Sequence, residues 1–194
     1  MKNIKIIIPA MLLLAACSKD NLENHEAPSP AVPGTTVQAA RLSVTRPFKA
    51  AFYTSVDPNT SIPPTACSGD IPGFANPGIF IHGSATYLGE LIPQLSRIQD
   101  VSCDLSVTTM LLTTVFSGQL TASNGDAIYI TGNDVIDAST FLTGAGTTGT
   151  ISGTWNISGG TGRFQQATGS FTINGPVDFA TTSFRCECVG TINF

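Results

Sequence analysis

The chain of 194 residues carries a net charge of −4 with nine Lys and Arg residues, and only 11% of its residues are charged. Because the basic residues form no cluster, the composition excludes the positively charged face that nucleic-acid binding needs. Beyond the first 16 residues, no stretch is apolar enough to predict a membrane-spanning helix.

The N-terminus has the pattern of a secretory leader. Lys2 and Lys5 precede an apolar run that ends in LAAC at residues 14–17; the run is too short to span a membrane, and its small final residues favour cleavage. LAAC resembles the lipobox of bacterial lipoproteins, in which the cysteine thiol is acylated and the leader is then removed. The resemblance implies a signal peptide over residues 1–16, a lipidated Cys17 and membrane attachment through several acyl chains, since one chain binds only marginally. An ordinary signal peptide with a chance cysteine is the alternative.

Residues 17–43 form a predicted flexible tether. Pro28, Pro30 and Pro33 disfavour a helix and keep the chain extended. Ser18 after the cysteine resembles lipoproteins exported to the outer membrane of two-membrane bacteria, and the opening CSKDN resembles lipoproteins of the Bacteroidota group. The resemblance implies an outer-membrane location and leaves open whether the protein faces the periplasm or the cell surface.

Residues 44–194 have the pattern of one all-β domain, with frequent Thr, Val, Ile and Phe, punctuating glycines and no long helical periodicity. The pattern predicts eight strands, at residues 47–56, 79–88, 97–106, 110–122, 127–131, 148–157, 169–174 and 182–194. Asn124-Gly125 is a strong hairpin signal between two of them. Eight antiparallel strands with short connections predict a single closed β-barrel, because closure removes exposed strand edges. Side chains fill the interior of such a barrel, or it holds one small ligand. A β-sandwich is the alternative fold.

The most motif-like sequence is ISGGTGRFQQATGSFTI at residues 157–173. A phosphate-binding loop needs a helix of several turns after it and, in the Walker form, Gly-Lys-Ser/Thr, and neither is present. We therefore interpret the stretch as a sharp turn, in which Arg163 faces solvent or a carboxylate and Phe164 closes one end of the barrel. The turn glycines are Gly159, Gly160 and Gly162.

A second glycine-rich sequence, GAGTTG at residues 144–149, matches a dinucleotide-binding motif by its letters alone. It leads into a predicted strand, whereas that motif requires a helix within a βαβ unit. We expect neither a cofactor nor a bound metal ion.

GGTGRF followed by GSFTI resembles the glycine-rich segment of the allene oxide cyclase barrel and dirigent-like superfamily. GSATYLG at residues 83–89 is similar to an ATHLG segment of bacterial relatives, with Tyr87 in place of the His. The resemblance implies a calycin-like barrel over about residues 44–194. It carries over no catalytic residue, because the matching segments are turns and strand starts, and function does not follow from such a fold.

Four cysteines remain after Cys17, an even number that favours two disulfides in an oxidising envelope. Cys186 and Cys188 lie two residues apart in a predicted strand and therefore share a face, which orients them poorly for a bond to each other. We expect each to pair with Cys67 or Cys103. Free buried thiols are one alternative, and a metal site formed with His82 is another, although the spacing lacks the paired pattern of zinc sites.

The sequence predicts no catalytic residue. His25 lies in the tether, and His82 shares a strand face with Phe80, Ser84 and Thr86. His82 would bind a ligand or act as a base if that face were the lumen, but we interpret it as an outward-facing or otherwise satisfied histidine.

Carboxylates that could form a pair across a pocket are interpreted mostly as turn and surface residues. They are Glu90, Asp100, Asp104, Asp126, Asp134, Asp137 and Asp178. Calcium at Asn133, Asp134 and Asp137 is a weak option, because such a site needs six or more oxygen ligands.

Three functions remain open. The leading hypothesis is a non-catalytic barrel, anchored to the outer membrane, that binds a small apolar or mixed ligand or serves as a cell-envelope accessory. The second is a surface-interaction or adhesion protein with a filled barrel that meets an envelope protein or a glycan. The third is a cyclase- or dirigent-like enzyme, which requires a buried, partnered carboxylate or histidine in the lumen.

Overall fold

The computed structural model describes residues 44–56 and 78–194, and the secondary structure of this part is almost entirely β. The strands in chain order are β1 (Thr45–Val56), β2 (Ile79–Ala85), β3 (Gly89–Glu90), β4 (Arg97–Ser106), β5 (Leu111–Thr121), β6 (Ala127–Asp137), β7 (Thr148–Gly160), β8 (Thr168–Asp178) and β9 (Ser183–Asn193). They are joined by two 3-10 turns, Pro93–Leu95 and Gly162–Phe164, and by a short helix, α1 (Ser139–Leu142). Within the two described ranges, no helix combines the length and the hydropathy needed to cross a membrane.

Eight of these strands close into a ring. The antiparallel order is β1-β9-β8-β7-β6-β5-β4-β2, β3 adds to β2, and β1 also pairs with β2. Tyr53 of β1 lies opposite Arg185 of β9 and also opposite His82 of β2, so β1 joins the two ends of the sheet. The predicted eight-stranded antiparallel barrel is confirmed, and the β-sandwich alternative is wrong.

The alternation of side chains along each strand determines which of them point into the lumen of the barrel. In β7, Ile151, Trp155 and Ile157 are buried, whereas Ser152 and Asn156 between them are exposed. This is the period of two that a half-buried strand requires. The apolar residues of the sequence therefore form one interior core.

The middle of the lumen is filled by aromatic rings. The ring of Trp155 is fully buried, with its centroid 4.8 Å from that of Phe116 and 5.6 Å from that of Phe171. Phe171 in turn packs 4.8 Å from Phe48. Such tilted arrangements suit the quadrupoles of the rings, and each ring buries a large apolar area. This aromatic layer separates the lumen into two ends.

One end, which we call the closed end, is sealed by the glycine-rich turn. Phe164 is fully buried, and its ring meets that of Phe194 edge-on at 5.0 Å. Arg163 beside it is half exposed, with its Nε 3.7 Å from a carboxylate oxygen of Asp126. Gly162 begins the 3-10 turn with a φ of +54°, in the left-handed region that glycine adopts most easily.

The strand bounds differ from the predicted ones at two places that matter. Gly159 and Gly160 belong to β7 and not to the turn, because the β6–β7 ladder continues to the pair Ile128–Gly160 through a register shift. Strand β6 runs to Asp137, and the prediction that it ends at residue 131 is wrong. The ladder with β5 and β7 holds the additional residues in the sheet despite their turn-forming character.

Candidate functional site

The opposite end of the barrel, which we call the open end, contains a cavity. Here β1 and β6 end at Val56 and Asp137, and β2 and β9 begin at Ile79 and Ser183. The cavity offers about 50 Å³ to the centres of water-sized molecules, and its total empty space, which includes open solvent, is about 550 Å³. The lining residues are Ile79, Ile98, Asp100, Leu112, Thr114, Asp134, Ile136, Ile151, Val177, Phe179, Thr182, Ser183 and Phe184. The cavity is therefore an apolar funnel that contains two carboxyl groups.

Asp134 enters the lumen because of its place in β6. It lies opposite Thr114 of β5 and Gly153 of β7, and its side chain is only 2% exposed. A Cβ atom on Gly153 would lie 2.0 Å from Oδ1 of Asp134, so the glycine leaves the space that the carboxyl group occupies. Two local features thus bury an acid, the inward phase of β6 and the missing side chain opposite it.

The carboxyl group of Asp134 has a specific partner in the aromatic layer. Nε1 of Trp155 donates a hydrogen bond to Oδ1 of Asp134 over 2.9 Å. In the described part of the chain, Oδ2 accepts no hydrogen bond and the carboxyl group has no ion pair with Lys or Arg. The acid is therefore held in place by one neutral donor, and its second oxygen, Oδ2, is left to accept a hydrogen bond from a ligand.

Burial raises the pKa of Asp134 to about 7, a rise that the hydrogen bond from Trp155 opposes and the negative charge of Asp100 reinforces. Removing a carboxylate from water disfavours its charged form, which is the dominant cause here. The group consequently changes charge near neutral pH. A buried carboxyl group with such a pKa can exchange a proton or pair with a charged ligand.

Asp100 reaches the cavity at an irregularity of β4. It lies opposite Phe116 of β5, and the register shifts between Asp100 and Ser102. Bulges of this kind bend a strand and redirect side chains next to binding sites. Alternation from the buried Ile98, two residues earlier, turns Asp100 inward just before this shift, and its carboxyl group lines the same funnel as Asp134.

The expected disulfides of Cys186 and Cys188 are wrong, because both residues are free thiols. They are buried on the inward face of β9, with their Sγ atoms 3.8 Å apart. Across β9 they face Phe52, Ala50 and Ile173, so neither neighbouring strand offers a cysteine. Their mutual hydrogen bond and their burial raise the pKa of Cys188, which keeps this thiol protonated.

Cys103 of β4 is disulfide-bonded, and its partner is neither of these two thiols. Cys67 and the lipidation candidate Cys17 lie outside the described residues, as do the signal peptide, the tether and His25.

His82 lies on the outer face of the barrel, so the lumen interpretation is wrong for this residue. Ile81 before it is fully buried, and alternation therefore turns His82 outward. Its ring stacks on Tyr53 with centroids 4.7 Å apart, and Nε2 lies 2.7 Å from Oγ of Ser55. The turn motif at residues 159–164 is at the closed end, away from the cavity.

The sequence interpretation missed the pairing of Asp134 with Trp155. The available signal was the inward series Ile128, Ile130, Asp134 and Ile136, which continues past the predicted end of β6. In the described ranges, no three His, Cys, Asp or Glu side chains lie close enough together to hold a metal ion. Comparisons with protein-family models, with curated proteins and with solved structures give no match for this chain. Its function is therefore argued from the open end itself.

Proposed function

We propose that this protein is a small-ligand-binding barrel, held on the outer membrane by a lipid on Cys17, and that its binding site is the cavity at the open end. The observation that carries the proposal is the position of Asp134, a buried carboxyl group at the base of an apolar funnel. Burying a carboxylate without a cationic partner costs several kcal/mol, of order 3–5.

Folding of the barrel does not require the free-energy cost of burying the carboxyl group of Asp134. Trp155 needs one acceptor for its indole N–H, and the amide oxygen of an asparagine at position 134 would supply it. Asp134 adds a titratable group instead, directed at a space that opens to solvent. A costly group that faces a cavity is better explained by binding than by folding.

The dimensions of the cavity restrict the ligand. The cavity is small, with about 50 Å³ of space for the centres of water-sized molecules, and it opens to solvent at its mouth. Trp155 and Phe116 fill the lumen below it, so the ligand does not extend through the barrel. We therefore propose a compact molecule with one polar group and an apolar body.

The proposal is tested with benzyl alcohol and benzylamine, which share a ring and differ in the polar group. Trp155 is the single tryptophan of the chain, so its fluorescence reports from the base of the cavity in the full-length protein. We expect a saturable change with at least one of the probes. Ile136→Phe, which places a ring among the lining residues, is expected to weaken that binding by about tenfold or more.

Val135→Phe is the matched control, because it places the same ring on the neighbouring position of β6, which faces away from the lumen. Binding should persist in this variant. Fluorescence that responds to neither probe, or that responds equally in both phenylalanine variants, would remove the cavity as the binding site.

A cyclase- or dirigent-like enzyme is the second candidate. The buried, hydrogen-bonded Asp134 is the kind of group that this function requires, and a pKa of about 7 suits a general acid or base at neutral pH. The two functions are distinguished by recovering a ligand with the protein from its own cells and measuring whether the protein converts that ligand. A binder returns the molecule unchanged, whereas an enzyme converts it and loses that activity in Asp134→Asn.

A further inference from the structure

The described lining of the open-end cavity contains carboxyl groups and no basic side chain. It includes Asp100 and Asp134 and no Lys, Arg or His. Within the described residues, the buried carboxyl group of Asp134 forms no ion pair with Lys or Arg.

Within the described residues, charges of both signs lie at both ends of the barrel. Asp104 and Arg185 lie on strand segments of the open end, and Asp126 and Arg163 lie at the closed end. The absence of basic side chains is therefore a property of the described cavity lining and not of the whole open end. A cleft of one sign with low-dielectric walls concentrates ligands of the opposite sign.

From this charge distribution we infer that the ligand of the open-end cavity is a small organic amine, bound as an ammonium ion by Asp134 with its apolar body against Phe179 and Phe184. This inference rests on the proposed binding function and specifies the class of ligand. Ammonium donates hydrogen bonds to carboxylate oxygens, and Oδ2 of Asp134 has acceptor capacity that Trp155 does not use. Aromatic faces add a favourable interaction with a cation.

An organic cation fits this funnel better than an inorganic one. Calcium requires six or more oxygen ligands, and most of the lining side chains are hydrocarbon. An alkyl or aryl amine satisfies both the acidic base of the funnel and its apolar walls.

Binding of an amine is coupled to a proton on Asp134. The groups that face this carboxyl group are Asp100 from β4, Thr114 from β5, Trp155 from β7 and Cys188 from β9. None of these described groups carries a positive charge, so the bound ammonium ion supplies the cation that stabilises the charged carboxylate. With a pKa of about 7, Asp134 must lose its proton on binding in acid, and affinity falls about tenfold for each pH unit below 7.

The experiment compares benzylamine with benzyl alcohol on the full-length protein by Trp155 fluorescence, at pH values one unit below and one unit above neutrality. We expect benzylamine to bind at least about tenfold more tightly than benzyl alcohol above neutrality, and to lose most of this preference below it. Asp134→Asn keeps an acceptor for Trp155 and should abolish the preference while retaining alcohol binding. Asp104→Asn, an exposed acid at the same end, is the matched control and should retain it.

Each alternative result is decisive. Equal binding of the two probes overturns the amine inference and leaves the binding function in place, whereas failure of both probes overturns the binding function as well. A preference for benzylamine that survives in Asp134→Asn also overturns the inference. Displacement of benzylamine by micromolar calcium would replace the amine with a metal ion as the occupant.

Discussion

Glycine residues shape both ends of the barrel, but they close the lumen at one end and leave it accessible at the other. At the closed end, a glycine with positive φ lets the chain turn so that Phe164 enters the lumen and packs against Phe194. At the open end, the glycine at position 153 leaves room for a carboxyl group, and the lumen stays accessible. The closed end is filled by apolar side chains, whereas the open end contains the carboxyl group of Asp134.

The contrast explains how the barrel tolerates an unfavourable group. The closed end and the aromatic layer form one continuous buried cluster that includes Phe164, Trp155 and Phe171. Asp134 sits at the edge of that cluster, tied to it by the indole of Trp155. The buried acid of the candidate site, which lowers stability, is thus supported by a well-packed core.

The largest expected effect tests whether the closed end is the better packed of the two. Phe164→Ala removes a fully buried ring and should lower the free energy of unfolding by about 3–5 kcal/mol. Phe179→Ala removes a ring that already borders the open-end cavity and stacks on Phe141, so solvent can fill the space, and we expect a loss of about 1–2 kcal/mol. Urea unfolding of both variants measures the difference, and equal losses would show that the two ends are packed alike.

The second prediction concerns the cost of Asp134. Its folded-state pKa of about 7 lies above the ordinary aspartate value of 3.8, so between these two pH values the folded protein holds a proton that the unfolded chain releases. The stability that this proton confers is fully present below about pH 4 and is lost as the pH rises through 7. Asp134→Asn should therefore match the native protein near pH 4 and exceed its free energy of unfolding by up to about 4 kcal/mol above pH 7.

Asp137 provides a control of opposite sign on the same strand. A hydrogen bond from the backbone N–H of Ser139 lowers the pKa of this exposed carboxyl group. Any stability lost in Asp137→Asn should therefore appear above pH 4 and vanish as the pH falls below it. A pH profile of Asp134→Asn with the same sign as that of Asp137→Asn would contradict the burial of Asp134 as a protonated acid.

The closed end was more accessible to sequence interpretation than the open end, for a physical reason. Glycine spacing and strand alternation are local signals, and they located the turn before Phe164 and the ring of eight strands. The site at the open end depends on register, which joins residues far apart in sequence. Nothing local in the sequence states that Asp134 lies opposite Gly153 and accepts from Trp155.

The turn preference of Asn and Asp also gave a wrong prediction for the end of β6. Asn and Asp favour turns, and the predicted strand ends at residue 131, before the pair Asn133-Asp134. Pairing with β5 and β7 overrides that preference and extends β6 to Asp137. The cysteines show the same limit: position in β9 places Cys186 and Cys188 on one face, but their neighbours across the strands depend on the fold.

The smallest expected effect distinguishes the glycines of the two ends. Gly162 at the closed end and Gly144 after α1 both have positive φ, at +54° and +72°. Alanine at Gly144 meets no atom within 4 Å, so Gly144→Ala should cost only the backbone strain, about 1 kcal/mol. Alanine at Gly162 would place Cβ 1.8 Å from Oδ1 of Asp126 and displace a side chain that pairs with Arg163, so we expect about 2 kcal/mol.

A double-mutant cycle separates strain from displacement at Gly162. Asp126→Ala removes the obstructing carboxylate, and in that background Gly162→Ala should cost no more than Gly144→Ala does in the native protein. Thermal or urea unfolding of the single and double variants gives the interaction term directly. An unchanged cost of Gly162→Ala after removal of Asp126 would assign the whole penalty to the backbone and none to displacement of the carboxylate.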